Sequence, residues 1–187
     1  MVSHKGSILG PLLFLIYIND LYRSCNIIKF ILFADDTTLL ASNKDMHELP
    51  HTVNKELKVI SEWLTANKLS INISKTNYII FREKSTKCFN INPVLINNVT
   101  INQVSSTRFL GVEINSEFNW KDHIKIVSKK VAIAIGLISI VKFKLSNKTL
   151  MLLYDTLVLA QLSYCNMIWA STYKTTLDKL YILRKKL

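Results

Sequence analysis

Two adjacent acidic residues, Asp35 and Asp36, interrupt an apolar, β-rich stretch that reads ILFADDTTLL. Adjacent carboxylates repel each other, and burial beside apolar strands makes it costly to keep both ionised unless a positive charge compensates. A divalent cation is a common compensation, and oxygen ligands on a short turn suit Mg²⁺, with Mn²⁺ as an alternative. In a two-metal site such carboxylates serve phosphoryl transfer. The pair therefore predicts either a catalytic metal site or, more simply, an Asp-rich turn.

The flanking segments predict that this pair lies at the end of a hairpin. Residues 27–34 and 37–42 are rich in β-branched and aromatic types, and little besides the two acids separates them. Residues 45–66 predict an amphipathic helix that packs on this sheet, because its apolar positions Val53, Leu57, Ile60 and Leu64 recur at helical spacing. The helix predicted over residues 7–22 is apolar on nearly every side, so we expect it to be buried.

The remaining chain divides into a short β-rich part and a helical part. Strands are predicted over residues 71–73, 78–81, 94–101 (with a turn at Asn97 and Asn98) and 108–114. Helices are predicted over residues 121–144, 147–164 and 175–187. Mixed α and β structure is therefore expected to give way to helices after Asn119.

Composition narrows the class of protein. A hydrophobic content of 49% excludes a disordered polymer, and 24 Lys and Arg against 13 Asp and Glu favour a polyanionic partner. The excess of positive charge is concentrated in residues 119–187, which contain twelve basic and three acidic residues. Cys25, Cys88 and Cys165 show no paired spacing, which predicts a reduced intracellular setting, nuclear or cytoplasmic. No clean membrane-spanning run is present, so no membrane association is predicted.

Five segments together resemble a known family. They are GSILGPLLF (6–14), INDL (18–21), FADD (33–36), NKLSIN with Lys75-Thr76 (67–72, 75–76) and FLGV (109–112). Their order is similar to that of the reverse transcriptases of non-LTR, LINE-type, jockey-like retrotransposons. The resemblance implies an α+β fold: a partial polymerase palm, with a ferredoxin-like half and catalytic hairpin, over residues 1–117, and a basic helical thumb-like region over residues 118–187.

The resemblance also implies roles for individual residues. Asp35 would bind the catalytic metal with Asp36 as its weaker partner, and Lys75 would assist departure of pyrophosphate. The implied nucleotide and template contacts are Gly6, Ser7, Phe33 and Ala34. The implied primer grip is Phe109, Leu110 and Gly111, and the implied contacts to the nucleic-acid backbone are Lys121, Lys125 and Lys129. The partners would be an RNA template, a DNA primer and deoxynucleoside triphosphates.

The sequence departs from the family pattern near its beginning. The family usually has Gly-Val-Pro-Gln-Gly-Ser at the first motif, whereas His4 and Lys5 precede Gly6 and Ser7 here. The family's other metal-binding Asp belongs to an upstream strand, and Asp20 follows the first motif on a different element. We therefore expect a fragment that lacks this Asp, the fingers and the N-terminal polymerase portion, and that extends no primer by itself.

Two other interpretations remain. The first is a noncatalytic nucleic-acid-binding remnant, in which the basic helices bind phosphates and Tyr164, Trp169, Tyr173 and Tyr181 either stack on bases or lie in the core. The second is a zinc metalloprotease, because residues 47–51 read HELPH. Pro50 argues against the protease, since that motif requires an uninterrupted helix.

Overall fold

The computed structural model describes residues 9–81 and 92–184. These residues form two compact units, the first containing residues 9–78 and 92–103 and the second residues 79–81 and 104–184. Helices and strands occur in the described chain, which confirms the predicted mixed α and β content. The β-hairpin after residue 104 groups with the C-terminal helices. The functional division at residue 117 stays a prediction.

The first unit combines two helices with three two-stranded ladders. Its helices are α1 (Leu9–Ile18) and α2 (Leu49–Ala66), and short 3₁₀ turns span Leu21–Arg23 and Ile73–Lys75. Its strands are β1 (Lys29–Phe33), β2 (Asp36–Leu40), β3 (Asn77–Tyr78), β4 (Leu95–Ile96), β5 (Val99–Thr100) and β6 (Asn102–Gln103). β1–β2 and β4–β5 are antiparallel hairpins, whereas β3 and β6 pair in parallel.

The core of the first unit forms where α2 meets the hairpins. Leu57 and Ile60 of α2 are buried, and Val53 and Leu64 pack against the same cluster, as the periodicity predicts. Partly buried Phe30, Leu32 and Leu39 contribute from the β1–β2 hairpin. The predicted turn at Asn97 and Asn98 is confirmed, since both lie between β4 and β5 with positive φ.

The prediction that the first helix is buried is wrong. Only Ile18 of the ten residues of α1 is buried, and Phe14 packs partly on the core. The exposed large side chains are Leu9, Leu12, Leu13, Leu15, Ile16 and Tyr17. Because apolar residues surround the whole helix, contact on one side leaves the others exposed to solvent. Apolar character all round a helix therefore does not guarantee burial.

Three predicted strands are also corrected. The strand predicted over residues 108–114 is divided by a turn at Leu110 and Gly111, so it forms parts of two antiparallel strands. Residues 71 and 72 are irregular and residue 73 begins a 3₁₀ turn, because the Asn72 side chain accepts hydrogen bonds from the Lys75 amide (3.3 Å) and the Ser74 hydroxyl (2.7 Å). Such local bonds from asparagine compete with strand pairing. The strand predicted over residues 78–81 is shorter and lies at Asn77–Tyr78.

The second unit is a hairpin packed with helices. β7 (Ser106–Phe109) pairs with β8 (Val112–Asn115), and the helices are α3 (Lys121–Val141), α4 (Asn147–Tyr154), α5 (Ala160–Ser163), α6 (Asn166–Trp169) and α7 (Lys174–Arg184). A π-helical turn, Asp155–Leu159, joins α4 to α5, so the predicted helix over residues 147–164 is broadly confirmed. Ser146 caps α4 by accepting from the Thr149 amide. Val131 and Val158 are fully buried in the helical core.

A membrane-crossing helix is not found in the described ranges, where no helix has the necessary length and apolar character.

His123 joins α3 to the hairpin of the second unit. Its side chain is only 4% exposed, and Nδ1 accepts a hydrogen bond from the Glu113 backbone amide at 3.2 Å. An accepting Nδ1 carries no proton, so the ring is neutral and its proton lies on Nε2. Desolvation lowers the pKa of His123 from its ordinary 6.5, assisted by Lys130 and Arg108 and opposed by the Glu113 carboxylate.

We expect the second unit to lose stability in mild acid because of His123. Since the folded pKa is lowered, the stabilisation is fully present above about pH 6.5 and is lost as the pH falls from there towards the folded pKa. Urea unfolding midpoints at pH 7.5 and 5.5 measure the loss. His123→Gln retains an acceptor but does not titrate, and should lose less stability over the same interval. An equal loss in both proteins would contradict the role of His123.

Candidate active site and primer-grip hairpins

The β1–β2 hairpin reverses the chain through two residues. Phe33 pairs with Asp36, so Ala34 and Asp35 form the whole turn. Ala34 has a φ of 51°, in the left-handed region that residues with a Cβ seldom adopt. The backbone strain is of the order of 1–2 kcal/mol, and strained residues of this kind cluster at functional sites. The turn places both aspartates at the hairpin tip, with Asp35 in the turn and Asp36 at the start of β2.

Both Asp side chains are exposed. This corrects the expectation that desolvation beside the apolar strands requires a positive charge to keep both carboxylates ionised. The register explains the difference, because the core-facing residues of this hairpin, Leu32 and Leu39, lie further along the strands. At the tip, water can solvate both carboxylates. The hairpin prediction is confirmed, and the exposed carboxylates offer their oxygens to a ligand.

The donor set fits part of a magnesium site. Asp35 and Asp36 offer hard oxygen ligands on adjacent residues, and Mg²⁺ is typically bound through one or two carboxylates together with waters and substrate phosphates. Within residues 9–81 and 92–184, no group of three or more His, Cys, Asp or Glu side chains could hold a metal ion.

Other predicted contacts lie in the same unit. Phe33 is 59% exposed beside the acidic turn, so its ring is open to a ligand. Lys75 is exposed at the end of the 3₁₀ turn Ile73–Lys75. Ile73 of that turn packs against the same core cluster as the strands of the hairpin. Gly6 and Ser7 lie outside the described residues.

The predicted primer grip is also a two-residue hairpin turn. Phe109 pairs with Val112, and the intervening Leu110 and Gly111 have φ values of 45° and 84°. Two successive positive φ angles are typical of the tight turns that match the twist of antiparallel strands. Leu110 and Gly111 are exposed, and Phe109 is half-buried. The turn thus lies at the surface of the second unit.

The predicted backbone-contacting lysines lie along α3 of the second unit. Lys121, Lys125 and Lys129 are exposed at four-residue spacing, so they follow one side of the helix. Their exposed side chains can approach a row of phosphates. The acidic hairpin and Lys75 belong to the first unit, and the grip and lysines to the second.

Sequence reasoning missed the residue that holds the second turn. The Tyr164 hydroxyl donates to the Leu110 carbonyl at 2.7 Å. The Trp169 indole Nε1 donates to the Tyr164 carbonyl at 2.9 Å. Trp169 is 3% exposed, so it belongs to the core, whereas Tyr164, Tyr173 and Tyr181 are exposed. A sequence separation of 54 residues between Tyr164 and Leu110 left no local signal for this contact.

The HELPH segment does not form the protease motif. α2 begins at Leu49 with Pro50 in its first turn, so His47 precedes the helix and His51 lies within it. The two imidazoles therefore do not share one helical face, which that zinc motif requires. The exclusion based on Pro50 is supported.

Comparison with known proteins agrees with the motif order. A profile of reverse transcriptase (RNA-dependent DNA polymerase) matches residues 2–114. The chain is 24% identical over 194 aligned residues to a probable RNA-directed DNA polymerase from transposon X-element of Drosophila melanogaster, covering 97% of this chain and 20% of the relative. It is 24% identical over 178 residues to a retrovirus-related Pol polyprotein from type-1 retrotransposable element R1 2 of Nasonia vitripennis, covering 91% and 43%.

A third relative, a probable RNA-directed DNA polymerase from transposon BS of Drosophila melanogaster, is 26% identical over 133 residues, covering 67% of this chain and 15% of the relative. The chain thus spans less than half the length of these relatives. No solved structure matches it. Its class is defined by the acidic hairpin, the motif order and the profile: the chain belongs to the reverse transcriptase family. Its relatives are polymerases of non-LTR, LINE-type retrotransposons.

Two glycine substitutions test the second turn. Gly111→Ala should destabilise the protein by about 1–3 kcal/mol, because alanine is strained at positive φ and its Cβ would lie 3.2 Å from the Tyr164 ring. Gly136→Ala, in the exposed middle of α3 with open space around it, should stabilise by about 0.5–1 kcal/mol. Chemical denaturation measures both. The same sign for the two variants would contradict the turn geometry.

Proposed function

We propose that this chain is part of an RNA-directed DNA polymerase and that the β1–β2 hairpin delivers its catalytic carboxylates. The observation that carries the proposal is the pair of exposed aspartates on a tight, strained turn, in a chain whose residues 2–114 match the reverse transcriptase family. In this assignment residues 1–117 are the palm and residues 118–187 the thumb. The setting is intracellular, in nucleus or cytoplasm.

Asp35 is assigned as the main metal ligand and Asp36 as its weaker partner. When bound, Mg²⁺ (or Mn²⁺) would stabilise the charge that develops on the attacking and leaving oxygens during nucleotidyl transfer. The hairpin's contribution is to hold two carboxylates at a fixed separation before substrate arrives, which lowers the reorganisation that the reaction requires. Strain at Ala34 is consistent with this demand for a fixed geometry.

The neighbouring residues are assigned to the nucleotide and the leaving group. Phe33 and Ala34 would lie against the sugar of the incoming deoxynucleoside triphosphate or the primer end. Gly6 and Ser7 would contact the templating pair. Lys75, with an exposed ammonium group, would neutralise charge on the departing pyrophosphate.

The second unit is assigned to the primer–template duplex. The exposed turn at Leu110 and Gly111 would contact the primer strand, and Lys121, Lys125 and Lys129 would contact phosphates. A noncatalytic nucleic-acid-binding role is favoured by one specific observation, the row of exposed lysines on a unit rich in positive charge. The two functions differ in whether the acidic hairpin binds metal.

Localised cleavage by Fe²⁺, used as a substitute for Mg²⁺, tests metal binding at the hairpin. With ascorbate, hydrogen peroxide, a primer–template duplex and deoxynucleoside triphosphate, we expect backbone cleavage close to Asp35 that excess Mg²⁺ suppresses. Asp35→Asn should lose the cleavage, because it removes the charge but preserves the side chain's size. Asp20→Asn, an exposed control in the same unit, should retain it. Equal cleavage in Asp35→Asn and the parent would refute the metal assignment.

Salt dependence tests the lysines of α3. Each phosphate contact contributes about 0.9 to the slope of log affinity against log salt concentration on B-form DNA. We expect Lys125→Gln with Lys129→Gln to reduce the slope for a primer–template duplex by roughly two. Lys55→Gln with Lys58→Gln, exposed on α2, removes the same charge and should leave the slope unchanged. Equal effects of the two pairs, measured by fluorescence anisotropy, would argue against a specific lysine surface.

A further inference from the structure

We infer that Tyr164 is a positioning residue for the primer-contacting turn. Its hydroxyl holds the Leu110–Gly111 reversal in the conformation that presents the turn's backbone to the primer strand. The inference rests on the proposed function, because it takes this turn as the primer-contacting element. It adds a residue from a distant part of the chain to that element.

The turn needs support from outside the hairpin. β7 and β8 contain four residues each and pair with each other in a two-stranded ladder. An isolated two-stranded hairpin is at best marginally stable in water. Leu110 adds strain, since its φ of 45° lies in the left-handed region that favours glycine. A turn of this kind keeps one conformation when neighbouring groups fix it.

Tyr164 supplies that fixation through two contacts. Its hydroxyl donates to the Leu110 carbonyl at 2.7 Å, which occupies the acceptor at the strained position. Its ring lies against Gly111, where an added Cβ would be 3.2 Å from the nearest ring carbon. Because Gly111 has no side chain, it adopts the positive φ without strain and leaves room for the Tyr164 ring.

Tyr164 is held in turn by the helical core. The buried Trp169 indole donates to its carbonyl at 2.9 Å, and Cys165, the next residue, adopts a left-handed φ of 52° that redirects the chain. Trp169 also packs beside His123, with ring centroids 5.6 Å apart, and His123 accepts from the Glu113 amide of β8. The hairpin is thus attached to the helices at its turn and within β8.

Burial does not account for the position of Tyr164. The residue is 52% exposed, so its hydroxyl could be solvated by water in many rotamers. The structure instead shows it bonded to the carbonyl of the most strained part of the hairpin. A fixed turn binds with a smaller loss of conformational entropy than a mobile one. The hydroxyl therefore contributes to affinity for the primer without touching it.

Hydrogen exchange and duplex binding by Tyr164→Phe test the inference. This variant keeps the ring and removes the hydroxyl. In the free protein we expect the amide of Val112, which closes the turn opposite Phe109, to exchange about fivefold faster, the order expected for loss of one net hydrogen bond. Affinity for a recessed primer–template duplex should fall by a similar factor, roughly fivefold. The salt slope should be unchanged, because the lysines remain. Tyr22→Phe, at an exposed tyrosine of the first unit, should change neither.

The outcomes separate the inference from the proposed function. If duplex protects the turn amides in the parent protein and Tyr164→Phe exchanges and binds as the parent does, the positioning role is wrong and the primer-contacting role stands. If Tyr164→Phe speeds exchange but leaves duplex affinity unchanged, the hydroxyl is merely structural and the inference is also overturned. If duplex leaves the turn amides of the parent protein unprotected, the primer-contacting role fails and the inference fails with it.

Discussion

Tight chain reversal is the constraint on which the candidate sites depend. In both hairpins two residues connect the strands, and in both a residue with a Cβ, Ala34 or Leu110, has a positive φ. Each reversal places its chemically relevant groups at an exposed tip: carboxylates in the first hairpin and backbone in the second. The strain, roughly 1–2 kcal/mol per residue, has to be balanced by strand pairing and by contacts with the helices.

Sequence periodicity predicted the helices well because their pattern is repeated many times. α2 and α3 each bury one face, so several residues in each helix show the same helical spacing and support the same prediction. The acidic hairpin was predictable as well, since β-type runs flank a short polar break. The strand predicted near Asn72 was wrong because one side chain hydrogen-bonds to the local backbone. The burial predicted for the first helix was wrong because burial depends on which elements pack around a helix, which its own sequence does not specify.

The site was predictable only as far as its residues are contiguous. Phe33 to Asp36 lie within one short motif, so their placement on a turn follows from local sequence. The turn at Leu110 and Gly111 was not predicted, because residues 108–114 are β-rich throughout and were predicted as one strand. The predicted place of the acidic pair at a hairpin tip is confirmed, whereas the expectation that nearby burial requires a compensating charge is corrected, because both side chains are exposed. The role of Tyr164 could not be predicted from local sequence, because nothing in the pattern of a helical segment indicates a hydrogen bond to a residue 54 positions away.

The π-helical turn at Asp155–Leu159 has a consequence for the second hairpin. A π-helical turn accommodates one residue more than an α-helical turn, and one residue corresponds to about 100° of rotation about an α-helix axis. The residues that follow, Tyr164 among them, therefore have a different azimuth from the one an unbroken α-helix would give them. Tyr164 therefore reaches Leu110 from a direction that depends on the extra residue in the π-helical turn, several positions earlier in the chain.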